Sequence, residues 1–223
     1  MIFSIGATIL VLITMLKFIS KRSKNAKFDA VMAKIHCKCG WMVLILLLMH
    51  FLQAVSLLES RPLYIYILGI IALMCIMTIV GSFYFRKQLG KKWIVIHRGM
   101  SCIVIIIILG HIGSYLYGVM NYQKEVRSIK ISEVDLSKIP DGVYDGEYDV
   151  EYIYAKVEVT VKQGVITNVD ILEHRNERGS TAERITDNIV KEQKIEVDAI
   201  TGATNSSKVI KKAVEDALKG LKR

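Results

Sequence analysis

The first half of the chain contains very few acidic residues. Residues 1–120 hold only Asp29 and Glu59 against 13 Lys and Arg, which gives this half a net charge of +11. The whole sequence also lacks a Gly-rich dinucleotide fingerprint and an iron–sulfur cysteine cluster, which excludes NADH oxidation by this chain alone. No nucleic-acid-binding motif is present, so we expect no nucleic-acid partner.

Cysteine is also scarce. Of the four cysteines, Cys75 and Cys102 lie inside apolar runs, while Cys37 and Cys39 lie beside a basic segment. None can pair within the second half of the chain, so we expect no disulfide there and interpret all four as inert small residues. A metal role for Cys37 and Cys39 is the alternative, although their spacing differs from that of common zinc sites.

Long apolar runs are abundant in the first half. The chain is 52% hydrophobic, with a positive mean hydropathy of +0.37. Four runs are long enough to cross a bilayer: Ile2 to Ile19, Trp41 to Leu58, Leu63 to Phe85 and Trp93 to Val119. The second can begin near Val31. This composition predicts a membrane protein with an appended soluble domain.

The basic residues predict the orientation of these spans. They cluster in residues 17–38 and 86–98, whereas the remaining loop carries only Arg61. Because Lys and Arg stay on the cytoplasmic side, we expect a multi-pass plasma-membrane protein with both termini, and everything after Met120, outside. No basic residue precedes the first span, so we interpret it as a retained anchor. The basic balance of the first half indicates contact with anionic lipid.

Four of the five histidines form two pairs with the same interval of 14 residues, His36 with His50 and His97 with His111. Fourteen residues of helix place two side chains about 40° apart in angle and roughly 21 Å apart along the axis. The second and fourth spans run in the same direction, so His36 faces His97 near the inner surface and His50 faces His111 near the outer one. Each level predicts a b-type haem held by two imidazoles.

The alternative is that these histidines are hydrogen-bonded interior residues. A packing role gives no reason for the interval to recur, so we favour haem ligation. Arg98, beside His97, is a candidate partner for a haem propionate, although an interfacial charge explains it equally well. The paired spacing over about residues 30–118 resembles the bis-haem cores of cytochrome b and ferric-reductase-like families, which implies two haems carrying electrons between the membrane faces.

The second half follows a different pattern. After a mixed-charge linker at 121–140, alternating apolar residues predict three antiparallel strands, with a turn at Gln163 and Gly164. Two amphipathic helices follow, over about 181–191 and 206–218. The expected fold is a membrane all-α four-helix bundle over 1–120 and an extracytoplasmic α+β domain over 141–223.

Small and hydroxyl residues fill the segment between those two helices, Asp198-Ala199-Ile200-Thr201-Gly202-Ala203-Thr204-Asn205-Ser206-Ser207. Just before a helix, such residues leave the first backbone N–H groups open to a phosphate. The alternative, which spacing alone favours, is an ordinary loop ending in an Asn205 or Ser206 N-cap.

The pattern Asp-x-x-Thr-Gly-Ala-Thr, from Asp198 to Thr204, resembles the covalent flavinylation motif of FMN-binding domains in sodium-pumping NADH:quinone reductases and Rnf complexes. The similarity runs over about residues 138–220 and includes Asp141-Gly142-x-Tyr144-x-Gly146 upstream. His174 with Arg175 departs from the Glu-Thr-like step that relatives place near the flavin.

This resemblance implies a covalent cofactor. FMN would be joined through its phosphate to the Thr204 hydroxyl by a flavin transferase outside the cytoplasm. Thr201, Gly202 and Ala203 would lie beside it, and Asp198 would recruit the transferase or its metal.

Together these features favour a transmembrane flavocytochrome. Electrons would enter from a membrane quinol or a cytoplasmic-side donor, pass through two haems, and reach FMN and then an extracytoplasmic acceptor. One alternative is a haem-free membrane anchor that displays the flavin domain as a subunit of a larger redox complex. Another is a flavin redox sensor that signals through its basic loops.

Overall fold

The computed structural model describes residues 2–220, which separate into two compact units. The first comprises residues up to 58 together with 63–115, and the second comprises residues 59–62 together with those from 116 onward. The first unit is helical. Its helices are α1 (Ile2–Arg22), α2 (Ala26–Val55), α3 (Leu63–Tyr84), the short α4 (Arg86–Leu89) and α5 (Lys92–Ser128), and the unit boundary falls inside α5.

Four of these helices, α1, α2, α3 and α5, are long and apolar enough to cross a membrane. Much of their apolar surface is exposed, including 59% of Leu12, 71% of Ile106 and 66% of Leu109. Soluble monomers seldom expose apolar patches of that extent. The first unit is therefore suited to a lipid environment.

A tight connection joins α1 to α2. The Asn25 side chain accepts the Phe28 N–H at 3.0 Å and so caps the start of α2. Asp29, in the first turn of α2, pairs with Lys17 and accepts a hydrogen bond from Ser20 at 2.8 Å. These polar contacts set α1 closely alongside α2, and Gly6 leaves room for Leu46 at the contact.

The second unit contains an antiparallel sheet in the order β1 (Gly142–Asp149), β2 (Tyr154–Lys162) and β3 (Val165–Arg175). Gln163 and Gly164 join β2 to β3 with φ values of +52° and +72°, the conformation that two-residue hairpin loops require. On β2, alternate residues from Ala155 to Val161 are fully buried. One face of the sheet therefore packs against the core and the other faces outward.

Two helices cover the buried face of the sheet, α6 (Ile185–Glu192) and α7 (Thr204–Gly220). The approach of α7 to β1 is closest at Gly146, where an added Cβ would lie 2.2 Å from the Ala213 carbonyl oxygen. The side chains of Val209, Ile210 and Val214 on α7 are fully buried.

The residues before the sheet also belong to this core. Val126, near the end of α5, and Ile129 are buried in the same cluster as β2 and α7. The Glu133 carboxylate accepts the backbone N–H groups of Ile195 at 3.0 Å and Glu196 at 2.7 Å. The segment expected to act as a linker therefore packs on the domain that follows it.

The four long apolar helices and the three-stranded sheet are observed as predicted. Several boundaries differ. Helix α2 begins at Ala26, because of the Asn25 cap, and carries both His36 and His50. Helix α5 continues nine residues past Val119, and the first strand ends at Asp149 because Glu151 has a φ of +65°.

Candidate functional site

The segment before α7 forms a short turn that presents Thr204. The Ala203 N–H donates to the Ile200 carbonyl at 3.0 Å, and Gly202 has a φ of +81°. A positive φ at the third position is typical of a type II turn, and glycine adopts it without strain. Ala203 is buried below the turn, while Thr201, Gly202 and Thr204 are exposed.

Thr204 is the first residue of α7, and its position leaves backbone donors open. The first bond into the helix runs from the Ser207 N–H to the Ala203 carbonyl at 2.9 Å. The N–H groups of Thr204, Asn205 and Ser206 therefore lie at the N-terminal end of the helix, where the helix dipole favours a negative group. An exposed hydroxyl beside these donors fits a phosphoester.

The turn is held from both sides. The Ser207 hydroxyl accepts the Ile200 N–H at 3.1 Å, which ties the turn to the first turn of α7. The segment before the turn is also held by α7: the buried Lys211 ammonium donates to the Val197 carbonyl at 2.9 Å and pairs with Glu196. Asp198 lies between these anchors and is exposed, so it is accessible to a partner.

The loop after β3 packs against the start of α7. An added Cβ on Gly179 would lie 2.0 Å from the Ser206 hydroxyl, so only glycine allows this approach. The Asn176 side chain accepts the Gly179 N–H at 2.6 Å. His174, whose side chain is almost fully buried, lies 2.9 Å from Glu183 through its Nδ1. The departure noted at His174 and Arg175 thus lies at the end of β3, next to the loop that packs against the start of α7.

Tyr122 also reaches this site, although the sequence did not single it out. Its hydroxyl accepts a hydrogen bond from the Asn205 side chain at 2.8 Å. Its ring lies against Tyr152, with 5.2 Å between ring centroids and 39° between planes. An aromatic residue just past an apolar run is ordinarily interpreted as an interfacial anchor, and that interpretation conceals this contact.

In the first unit, the structure brings His36 and His97 together. Their ring centroids are 5.9 Å apart, with 57° between the planes. Two imidazoles on opposite sides of one iron lie about 6 Å apart between ring centres, since metal–imidazole bonds are about 2 Å long. The spacing of this pair therefore fits the two axial ligands of a haem.

The other ring nitrogen of each histidine is bonded to backbone. His36 Nδ1 lies 3.0 Å from the Thr14 carbonyl, and His97 Nδ1 lies 3.3 Å from the Ile79 carbonyl. A carbonyl only accepts, so Nδ1 is the donor in each bond, and a ring with a single proton then has its lone pair on Nε2. Metal-ligating histidines are commonly oriented in this way. No side-chain pattern could have revealed these two backbone partners.

The space around the inner pair is partly open. Gly40 lies one turn after His36, and nothing approaches within 4 Å of the position that its Cβ would take. Ser101 lies one turn after His97 and folds its hydroxyl back onto the His97 carbonyl at 2.6 Å. Arg98 is exposed. The inner pair therefore has a small residue one turn after each histidine.

For the outer pair, the structure places the His111 ring against α3. An added Cβ on Gly69 would lie 3.3 Å from that ring. His50 is half-buried on α2. A haem between His50 and His111 stays a prediction.

Side chains that could form a conventional metal centre do not gather in residues 2–220, where no group of three or more His, Cys, Asp or Glu is found. A haem needs only two protein ligands, because the porphyrin supplies the rest. Cys37 is exposed and Cys39 is buried.

Comparison with known proteins bears on the second unit. Residues 154–219 match the family model of the FMN-binding domain. The match includes β2, β3, α6 and the turn that carries Thr204, and it covers under a third of the chain. No curated protein matches the chain, and no solved structure does. The family match supports FMN as the cofactor of this region and a flavin-based electron-transfer role.

Proposed function

We propose that the chain is a transmembrane flavocytochrome that carries electrons through two b-type haems to FMN bound covalently at Thr204, and on to an extracytoplasmic acceptor. The observation that carries the proposal is the exposed Thr204 hydroxyl at the open end of α7, inside a region that matches the FMN-binding domain.

The residues around Thr204 fit a phosphoester-linked flavin. Thr204 supplies the hydroxyl, and the first backbone N–H groups of α7 would stabilise the phosphate charge. Gly202 keeps the turn open, since nothing lies within 4 Å of the position of an added Cβ. Asp198 and Thr201 are exposed beside the acceptor and would contact the flavin transferase. Once bound, the flavin supplies reversible one- and two-electron chemistry.

The haem part of the proposal is supported by the inner histidines. The rings of His36 and His97 lie at the separation of axial ligands, and both bond to backbone carbonyls through Nδ1 rather than Nε2. Recurrence of the 14-residue interval then assigns His50 and His111 to a second, outer haem. Arg98 would pair with a propionate of the inner haem.

Loop charges support the proposed topology, in which the flavin domain is outside. With residues 17–38 and 86–98 in the cytoplasm, Thr204 lies outside, in the compartment that flavinylation by the transferase requires. The donor is a membrane quinol or a protein at the cytoplasmic side. Moving an electron outward gains about 2.3 kcal/mol per 100 mV of a potential that is positive outside.

Covalent attachment is tested by fluorescence of the denatured full-length protein in a gel. Thr204→Ala should abolish the fluorescent band, because the phosphoester needs a hydroxyl. Thr167→Ala is the matched control, since it removes the hydroxyl of an exposed threonine on β3, outside the turn, and leaves the acceptor. A fluorescent Thr204→Ala band would refute this acceptor.

The haems are tested by a pyridine haemochrome assay on the purified protein. Two haems per chain are expected in the native sequence, and His97→Leu should remove the inner one. Absence of haem from the native protein would instead favour the haem-free anchor, with its histidines packing against the Thr14 and Ile79 carbonyls.

A further inference from the structure

The aromatic pair beside Thr204 has no role in the attachment chemistry. Tyr122 and Tyr152 lie outside the matched residues 154–219, in the end of α5 and in the loop between β1 and β2. Both nevertheless lie in the second unit, and Tyr122 bonds to the residue that follows Thr204. We propose that Tyr122, backed by Tyr152, is the wall on which the isoalloxazine ring of the flavin packs. This inference rests on the proposed attachment of FMN at Thr204.

A flavin linked through its phosphate needs a second binding surface. The ribityl chain separates the phosphate from the ring, so the ring cannot rest on Thr204 itself. An unsupported ring would rotate freely in water and expose its apolar edge. A surface close to Thr204, but displaced from it, is required to fix the orientation of the ring.

Tyr122 is in the right place for such a surface. The 2.8 Å bond from Asn205 Nδ2 holds the Tyr122 hydroxyl within one side chain of the acceptor. The same bond orients the Asn205 side chain toward Tyr122 and so fixes the Tyr122 ring relative to the start of α7. Loss of this bond would leave each free to turn separately.

The burial of the pair also suits a wall. Tyr152 is 4% exposed, and its ring lies against that of Tyr122, which is only half-buried. Part of Tyr122 is therefore accessible to a planar partner. Aromatic side chains bind conjugated rings by offset stacking, as they bind nucleobases. A buried tyrosine behind the first keeps the wall rigid, which lowers the entropic cost of ordering the flavin.

The experiment uses the full-length flavinylated protein in detergent and measures time-resolved fluorescence anisotropy of the flavin. A packed ring rotates with the protein, whereas a free ring adds a fast component. Tyr122→Leu should lower the ratio of packed to free ring by about fivefold or more, the lower end of aromatic stacking on bases. Tyr122→Phe retains the ring but loses the bond from Asn205, so its ratio should fall between those of the native protein and Tyr122→Leu.

A matched control is available on the opposite side of the sheet. Tyr154 alternates with the buried residues of β2, so its side chain lies on the face away from α7, where it bonds to Glu147 at 2.7 Å. Tyr154→Leu should leave the anisotropy decay unchanged. If fully flavinylated Tyr122→Leu shows the same anisotropy decay as the native protein, the proposal that the flavin ring packs on Tyr122 is overturned.

A second variant covers the case in which Tyr122→Leu does not fold. Tyr122→Trp retains a large aromatic face, and an indole in contact with a flavin quenches it by electron transfer. The flavin lifetime should therefore be several-fold shorter than in Tyr122→Phe, whose phenyl ring does not donate an electron, and equal lifetimes would overturn the proposal. In-gel fluorescence distinguishes failure of the proposed attachment from failure of this inference. If the native protein carries no covalent flavin, the attachment at Thr204 is refuted. If the flavin is covalent but rotates freely, only its packing on Tyr122 is refuted.

Discussion

Gly146 is the position where we expect a single added methyl group to destabilise the second unit most. In Gly146→Ala the new Cβ would lie 2.2 Å from the Ala213 carbonyl oxygen and 2.3 Å from the Ala217 nitrogen. Both are backbone atoms of α7, so no side-chain rotation relieves the overlap. The helix must move away from β1 by more than about 1 Å, because non-bonded carbon contacts are normally about 3.5–4.0 Å long.

The magnitude follows from that displacement. Overpacking typically costs about 1–3 kcal/mol, and a clash between backbones belongs at the upper end. A loss of about 3 kcal/mol would lower the melting temperature of a domain of this size by more than about 10 °C. It would also remove a large part of the usual stability of a single domain, about 5–15 kcal/mol.

Hydrogen exchange followed by mass spectrometry measures this in the full-length protein in detergent. Peptides from β1 to β3 and from α7 should exchange about a hundredfold faster through opening of the whole domain, since each tenfold corresponds to about 1.4 kcal/mol. Gly220→Ala, at the end of α7, is the matched control, because nothing lies within 4 Å of the Cβ it adds. Equal protection in the two variants would refute the argument from close approach.

Three further predictions concern α7 and its approach. Burial raises the pKa of Glu215, but the hydrogen bonds from Lys212 and Lys219 together lower it by more. The pKa of Glu215 therefore lies below its ordinary 4.5. Ionised Glu215 therefore contributes its full stabilisation of the folded state above about pH 4.5, and this contribution is lost as the pH falls through the lower native pKa. In Glu215→Gln, the free energy of unfolding should depend less on pH in this range. Gly202→Ala must adopt a φ of +81° and should cost about 1–2 kcal/mol, with a lower flavin yield per chain in gel fluorescence as the readout. Glu133→Ala removes both acceptors of the Ile195 and Glu196 amides and should cost about 1–3 kcal/mol; unchanged exchange at those two amides would contradict it.

The sheet could be predicted from the sequence because its signals are local. Alternation from Ala155 to Val161 specifies a half-buried strand, and Gln163-Gly164 specifies a two-residue hairpin. The ends of elements were less predictable. The backbone turns at Glu151, a residue with no strong preference for a positive φ, so the end of β1 could not be located from residue type.

The attachment site could be predicted only in part. Asp198 to Thr204 is a continuous motif, and the structure adds the turn and the open helix end that such a motif implies. Tyr122 is distant in sequence and reaches Asn205 through one hydrogen bond. A long-range contact of this kind depends on how α5 packs against α7, for which single-residue patterns carry no information.

The histidines show where prediction from spacing ends. The shared direction of the second and fourth spans predicts His36 and His97 at one level, and the 5.9 Å between their ring centroids agrees with that expectation. Spacing cannot decide which ring nitrogen is available, because that depends on carbonyls of other helices. The bonds to Thr14 and Ile79 assign the proton to Nδ1 in both rings, which is the tautomer that iron ligation through Nε2 needs.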